Sequence, residues 1–313
     1  MTIASAIATK QQQVADSYAA VSNKGGTLPA TQNLTNLATA ISSIPSGGGG
    51  GSKFGATINT FLGDVDANGV LQLPTEQSDL VFTGVKNIAT NGLYYKFAYS
   101  KVKSVLFSDL EEAINSDCLL YAFYNSEIKT ASFPKLTTID YAGRMFGDSS
   151  LESVSMPYLT TVIGGSTNRG LYYAFYGTDI TELDLPNLTT ITGDRYGLNS
   201  FCSDCNKLET VRFTKLETIP TRSSAGFSNF YNAFNDCIAL EDIYFNAVNS
   251  NTFTGGYTNV FNSMFSSTSG RTNGCTVHFP SNMQSIISGL NGYPTFGGNA
   301  SYITIAFDLP ATS

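Results

Sequence analysis

The chain has 313 residues, of which only 13% are charged, about half the roughly 25% of an average soluble protein, so its solubility rests on Ser, Thr, Asn and Gly. A net charge of −7 excludes a general nucleic-acid binder, which needs a basic face for counterion release. A single histidine, His278, excludes His-rich zinc sites and paired imidazole catalysis, and five cysteines, an odd number, do not make a disulfide framework. The N-terminus lacks a basic start followed by an apolar block, and no run of about 18 apolar residues occurs. Neither a secretory signal nor a membrane span is expected.

In chain order, residues 1–46 come first. Ile3, Ile7, Val14 and Val21 fall at or near helical spacing with Tyr18 between them, and Leu34, Leu37, Ile41 and Ile44 follow an a/d heptad spacing. These stripes predict two short amphipathic helices, too short to be stable unless they pack on each other, on other subunits or on a docking protein. The run GGGGGS at 47–52 reads as a flexible tether. Residues 53–92 read as a small β element, with apolar alternation on both sides of GDVDANG predicting a hairpin. The same stretch opens like an oxygen-ligand calcium loop, with Asp64, Asp66 and Asn68 as candidate ligands. The match fails at position twelve, where Thr75 stands in place of Glu.

Residues 93–280 are a repeat. VKSVLF (102–107), IKTASF (128–133), LESVSM (151–156), ITELDL (180–185), LETVRF (208–213), LEDIYF (240–245) and CTVHF (275–279) share one alternating pattern. The first four full motifs with a continuation run on into PKLTTI, PYLTTV, PNLTTI and TKLETI, a second extended segment. Upstream sits an aromatic anchor: Phe97, Phe123, Phe146, Phe175, Phe201, Phe234 and Phe265. The predicted unit is a short helical turn, a strand and a second extended segment, stacked into a solenoid. Length variation falls mostly between the second segment and the next anchor, so insertions are expected on one face. Residues 281–313 close the stack with a capping strand around Tyr302–Phe307. The fold class expected is therefore α+β: an N-terminal helical module, a glycine linker, a solenoid of short strands with helical turns, and a C-terminal capping strand.

The anchor, a Cys, the strand and the P-x-L-x-x-I continuation resemble the BspA-like class of leucine-rich repeats, matched at Phe201, Cys205, Leu208, Val211 and Phe213 and again at Phe234, Cys237, Leu240, Ile243 and Phe245. The other repeats carry Asn125, Asp148 and Gly177 in the Cys column. Separately, residues 1–46 with their glycine linker resemble the N-terminal module of bacteriophage tail-fibre and related virion proteins. That second resemblance implies a virion protein assembled in the host cytoplasm and acting outside the cell. Its implied partners are tail or baseplate proteins through residues 1–46, a host-surface glycan or protein, and further copies of itself, with a trimer as the expected oligomer.

Candidate chemistry is sparse. Cys202 and Cys205 form a CxxC without a second pair or a strand-to-helix redox context and read as buried packing residues. His278 has no evident acidic partner and reads as a surface or edge residue of a capping strand. Arg144, Arg169, Arg195 and Arg222 each follow the second extended segment of successive repeats, a candidate basic stripe whose plain alternative is solvated loop charge. Tyr172, Tyr196 and Tyr257 lie in the variable insertions and are candidates for stacking on sugars. No catalytic constellation, metal set or cofactor is expected. A tail-fibre or receptor-binding adhesin is the functional expectation, beside a non-receptor structural virion protein, such as a head decoration or baseplate component, and a cell-surface repeat adhesin.

Overall fold

A computed structural model describes residues 79–82, 84–165, 169–193, 195–221, 228–256, 258–267 and 270–312, together with two short strands before them. The predicted helices with Ile3 to Ile44, the glycine run, Asp66, Asn68, Arg222 and Tyr257 lie outside the described residues. The two early strands, β1 (Asp64–Val65) and β2 (Leu71–Gln72), pair antiparallel. The hairpin reading of GDVDANG thus holds at the strand level, with Asp64 placed in a strand.

The following strands are β3 (Asp79–Phe82), β4 (Ser104–Phe107), β5 (Glu112–Ala113), β6 (Thr130–Ser132), β7 (Thr138–Ile139), β8 (Ser153–Ser155), β9 (Thr161–Ile163), β10 (Glu182–Asp184), β11 (Thr190–Thr192), β12 (Thr210–Phe213), β13 (Ile219–Pro220), β14 (Asp242–Phe245), β15 (Phe253–Thr254), β16 (Cys275–Pro280) and β17 (Ile303–Leu309). They form a parallel β-solenoid of about eight coils. One face carries β3-β4-β6-β8 and β10-β12-β14-β16-β17; a second carries β5-β7-β9-β11 and β13-β15. All seven predicted first segments lie on the first face, and the four continuations supply β7, β9, β11 and β13. Most of these strands bury one side, as Val105, Ala131, Leu183, Val211 and Ile243 show, because a strand at a solenoid wall has one wet face and one dry face; in β8 and β15 the inward Val154 and Phe253 are half-buried.

The third wall is where the sequence expectation fails. Between the second strand of one coil and the first strand of the next lies a ribbon of turns, not a helix. Lys96 N–H donates to Leu93 O at 3.1 Å and Ala98 N–H to Tyr95 O at 3.3 Å, closing turns within a coil. The intervening Phe97 N–H instead donates to Ala122 O of the next coil at 2.9 Å. Every fourth residue is left-handed, for example Asn91 (φ 55°), Tyr95 (54°) and Tyr99 (59°), then Asp117 (52°), Tyr121 (55°) and Asn125 (50°). A left-handed residue reverses the curl, so the segment runs straight across the wall and pairs with its neighbours. A helix would keep those N–H groups to itself. The leucine-rich repeat with a helical turn is accordingly not what these residues build. The only α-helix among the described residues is the four-residue α1 (Gln284–Ile287).

The core is two aromatic stacks. Under the turn wall, Phe97, Phe123, Phe146 and Phe175 stack with centroids 5.1, 5.4 and 5.9 Å apart and nearly parallel planes. Beneath the first sheet, Phe82, Phe107 and Phe133 stack at 4.4 and 5.3 Å, and Phe213, Phe245 and Phe279 at 5.1 and 5.3 Å. The parallel-strand spacing of about 4.7–4.9 Å is what brings equivalent rings to stacking distance. Met156 and Leu185 interrupt the second stack between Phe133 and Phe213, in the coils where the first sheet divides between β8 and β10.

Two register corrections follow. The backbone equivalent of Phe175 in the next coil is Cys202, since Phe175 N–H donates to Phe201 O and Cys202 N–H to Ala233 O. Phe201 therefore meets Phe175 edge-on, at 70°. The column three residues after the anchor is then Ser100, Ser126, Ser149, Thr178, Cys205 and Cys237, in place of the predicted Asn125, Asp148 and Gly177, which lie one position earlier. Ser126 Oγ donates to Phe123 O at 2.7 Å and Thr178 Oγ1 to Phe175 O at 2.9 Å, so the column holds small groups that bond a coil carbonyl, except at Ser149, whose buried hydroxyl has no partner among the described residues. All five cysteines are free and buried, and burial pushes the Cys118 and Cys275 thiols up to about 12.

The solenoid strands begin at β3, before residue 93, and β17 is a full member of the first sheet, pairing parallel with β16. A bulge between His278 and Pro280, the outward Asp308 and Pro310 blunt that last edge. The described residues that follow β9, β11, β13 and β15, at 164–165, 193, 221 and 255–256, lie at one corner, between the second sheet and the turn wall. Gly170 (φ 59°) shows how tight that corner is: a Cβ there would lie 2.6 Å from Gly197 O.

Candidate functional site

The turn wall carries an aromatic shelf. The left-handed residue two before each anchor points outward, and over four successive coils it is Tyr95, Tyr121, Arg144 and Tyr173. Tyr95 and Tyr121 stack at 4.4 Å and 13°. The Arg144 guanidinium follows, 5.9 Å from the Tyr121 centroid and 4.5 Å from that of Tyr173, a cation between two π faces. Around this column, Tyr94 packs edge-on against Tyr95 at 4.8 Å, Tyr124 against Tyr121 at 5.3 Å, and Tyr172 against both Tyr173 and Tyr196 at 4.6 and 5.2 Å. Tyr176 lies 5.4 Å from Tyr173, and Tyr99, 68% exposed, lies 5.8 Å from Tyr124.

The tyrosines are tied to the frame. Tyr124 hydrogen-bonds Asp148 and Tyr176 hydrogen-bonds Asp204, each across to the next coil. Burial, with Tyr121 beside it, pushes Tyr95 up to about 12, and burial with Asp204 does the same for Tyr176. Both therefore hold their protons more tightly folded than unfolded, and the stability they contribute is complete below about pH 10 and lost as pH rises toward 12. Alkaline titration is expected to release their tyrosinate absorbance together with loss of near-ultraviolet circular dichroism; ionisation of all tyrosines near pH 10 with the fold intact would contradict the packed shelf.

Of the predicted binding residues, Arg144, Tyr172 and Tyr196 come together here. Arg169 does not: its Nε and Nη2 donate to the two carboxylate oxygens of Asp140 at 2.7 and 2.5 Å, and its guanidinium lies 5.1 Å from the Tyr141 ring. Arg195 is exposed on the insertion after β11. Arg144, Arg169 and Arg195 thus differ in setting: a residue over ring faces on the wall, a structural ion pair and a loop. Sequence reasoning missed Tyr94, Tyr95, Tyr99, Tyr121, Tyr124 and Tyr176. The signal was present in Tyr95-Lys96-Phe97, Tyr121-Ala122-Phe123, Arg144-Met145-Phe146 and Tyr173-Ala174-Phe175, an outward side chain two before each anchor.

A second ladder lies on the first sheet, where Arg212, Tyr244 and His278 occupy one outward row. Tyr244 and His278 stack at 4.5 Å and 8°, and Arg212 lies 5.6 Å from the Tyr244 ring. His278 is not without acidic partners, as its sequence position suggested: Nε2 is 3.0 Å from Asp242 and Nδ1 2.9 Å from Asp308. Nor is it at a terminal edge, since β17 lies beyond it. Its neighbours on the sheet are 36 and 30 residues away in sequence, which hid them. The two carboxylates face opposite ring nitrogens, so they do not converge on a common metal position.

Where the first sheet divides, a cleft of about 370 Å³ opens between β8 and β10, lined by Glu152, Ser155, Met156, Glu182 and Asp184 among others. Glu152 is paired with Lys129 at 2.7 Å and Glu182 with Arg212. Burial raises the Asp184 carboxyl above its ordinary range. Among the described residues there is no cluster of His, Cys, Asp and Glu able to hold a metal ion, and no helix is long and apolar enough to cross a membrane. Compared with family models, curated proteins and solved structures, the chain matches none.

Proposed function

We propose that this chain is a non-enzymatic virion protein of a bacteriophage, a tail-fibre or receptor-binding adhesin whose turn wall contacts a glycan of the host envelope. The observation that carries the binding half of this reading is the tyrosine shelf. Tyr94, Tyr95 and Tyr99 are 42, 40 and 68% exposed, contiguous with six further tyrosines on one rigid wall. Rigid aromatic side chains with a polar tip lose little freedom on binding and suit sugars, which offer apolar C–H faces edged by hydroxyls. The virion half rests on the resemblance of residues 1–46, which in this reading attach the protein to tail or baseplate partners, as a trimer.

Full-length protein carrying Tyr94→Ser and Tyr99→Asn, the latter matching Asn125 in the next coil, is expected to adsorb to host cells about tenfold more weakly. That figure corresponds to about 1 kcal/mol for each exposed ring, with allowance for incomplete additivity. Adsorption equal to the parent's would overturn the shelf as the contact surface. Antibody labelling of particles, positive on tails and lost when residues 1–46 are deleted, is the companion result; labelling confined to heads would favour a structural decoration protein.

A further inference from the structure

The wall shelf and the first-sheet ladder share a construction, aromatic rings stacked with an arginine, yet differ in charge balance. On the first sheet both ladder members with ring or guanidinium nitrogens are answered by carboxylates: Arg212 by Glu182, and His278 by Asp242 and Asp308. The same holds for most cations of the solenoid, which pair from coil to coil: Lys86 with Glu111, Lys103 with Glu127, Lys135 with Asp109 and Lys207 with Asp179. Arg144 is an exception. Among the described residues no carboxylate pairs with it, and its contacts are the faces of Tyr121 and Tyr173. The nearest acids along the chain, Asp140 and Asp148, are engaged by Arg169 and Tyr124 respectively.

Resting on the adhesin reading above, we infer that Arg144 is an anion subsite of the shelf and that the ligand is an acidic polymer of sugar or polyol units, bearing carboxylate or phosphate groups. The Arg144 guanidinium, held over the faces of Tyr121 and Tyr173, has no carboxylate among the described residues to occupy its planar fork of N–H donors, the group that grips a two-oxygen anion. Stacking also fixes the group before the ligand arrives, so little side-chain freedom is lost on binding. The phenolic groups of Tyr124 and Tyr172 feel the Arg144 charge; the Tyr172 O–H is a donor for a hydroxyl flanking an acidic group, whereas the Tyr124 O–H is spent on Asp148 and its oxygen offers an acceptor. Stacked coils repeat this geometry along the solenoid axis at about 4.8 Å per coil. A polymer laid along the axis meets rings on both sides of the cation.

The test uses full-length protein and three polymers: polygalacturonate, poly(glycerol phosphate) and a neutral glucan. The expected result is binding to one or both acidic polymers in preference to the glucan, weakening as salt rises. Arg144→Gln, which keeps a long side chain at this left-handed position, is expected to lose about 10- to 100-fold in affinity. Arg144→Lys, which keeps the charge but not the fork, is not expected to restore it. Lys215→Gln, on the opposite corner and bonded to Asn187, removes the same charge and is expected to bind like the parent. Preference for carboxylate or phosphate polymer identifies the anion. Arg144→Gln binding the acidic polymers like the parent, or the glucan competing equally and without salt dependence, would overturn the subsite while leaving adhesion by the shelf intact. Parent protein that adsorbs to cells but binds neither acidic polymer would also overturn it. Failure of the parent to adsorb to cells at all would instead bring down the adhesin reading. Should Arg144→Gln unfold, the salt dependence of the parent on acidic against neutral polymer decides the anion claim without it.

Discussion

Replacing Phe175 by alanine is expected to destabilise the solenoid by about 3–5 kcal/mol, the usual cost of emptying a large buried aromatic site. Its ring is fully buried, stacked on Phe146 at 5.9 Å and met edge-on by Phe201 at 6.4 Å. Collapse is resisted on both sides, because the flanking rings are held by ladder hydrogen bonds: Phe146 N–H to Ala174 O at 2.8 Å and Phe175 N–H to Phe201 O at 2.7 Å. Since each coil is stabilised chiefly by its neighbours, loss of protection should spread from this coil into residues 150–215. Hydrogen exchange and urea unfolding measure both effects; unchanged exchange in that span would remove the stack from the core.

Arg169→Ala is expected to cost about 3 kcal/mol at neutral pH, through the group left behind. Asp140 is 4% exposed, and burial raises its carboxyl even with Arg169 beside it. Without the guanidinium, the folded state holds the Asp140 proton more tightly than the unfolded chain does. The deficit should then shrink as pH falls toward the ordinary carboxylate range. The paired replacement Asp140→Leu with Arg169→Met should recover much of the loss, because no buried charge remains. Stability of Arg169→Ala equal to the parent at pH 7 would show that water, and not the arginine, satisfies Asp140.

The repeat was readable because strand periodicity and apolar anchors are local properties. Alternation in segments such as VKSVLF and LETVRF places one side chain in two toward the core wherever the strand ends up. The turn ribbon was misread as helical for an equally local reason: its closures span three residues and its anchors fall at helix-like spacing. Asn91, Asp117, Asn125, Asp148, Gly177, Asp204 and Asp236 marked the left-handed positions, since these residue types tolerate that conformation, but Tyr95, Tyr121 and Arg144 occupy it too and masked the pattern. The shift that puts Cys202 in the anchor column was hidden because Phe201 beside it fits the motif better.

What the sequence by itself determined is the coil: which residues alternate, which are buried, and that neighbouring coils must cover one another's apolar edges. Only the tertiary structure decided which outward side chains meet, because residues on adjacent coils are some 23 to 36 positions apart and their contact depends on register. Tyr95 meeting Tyr121, Arg144 resting on Tyr173, Arg169 closing on Asp140 and His278 lying between Asp242 and Asp308 are all consequences of stacking. A one-residue slip would separate each pair, as it does at Phe201. The repeat is written along the chain, whereas the shelf, with its unanswered cation, is written across it.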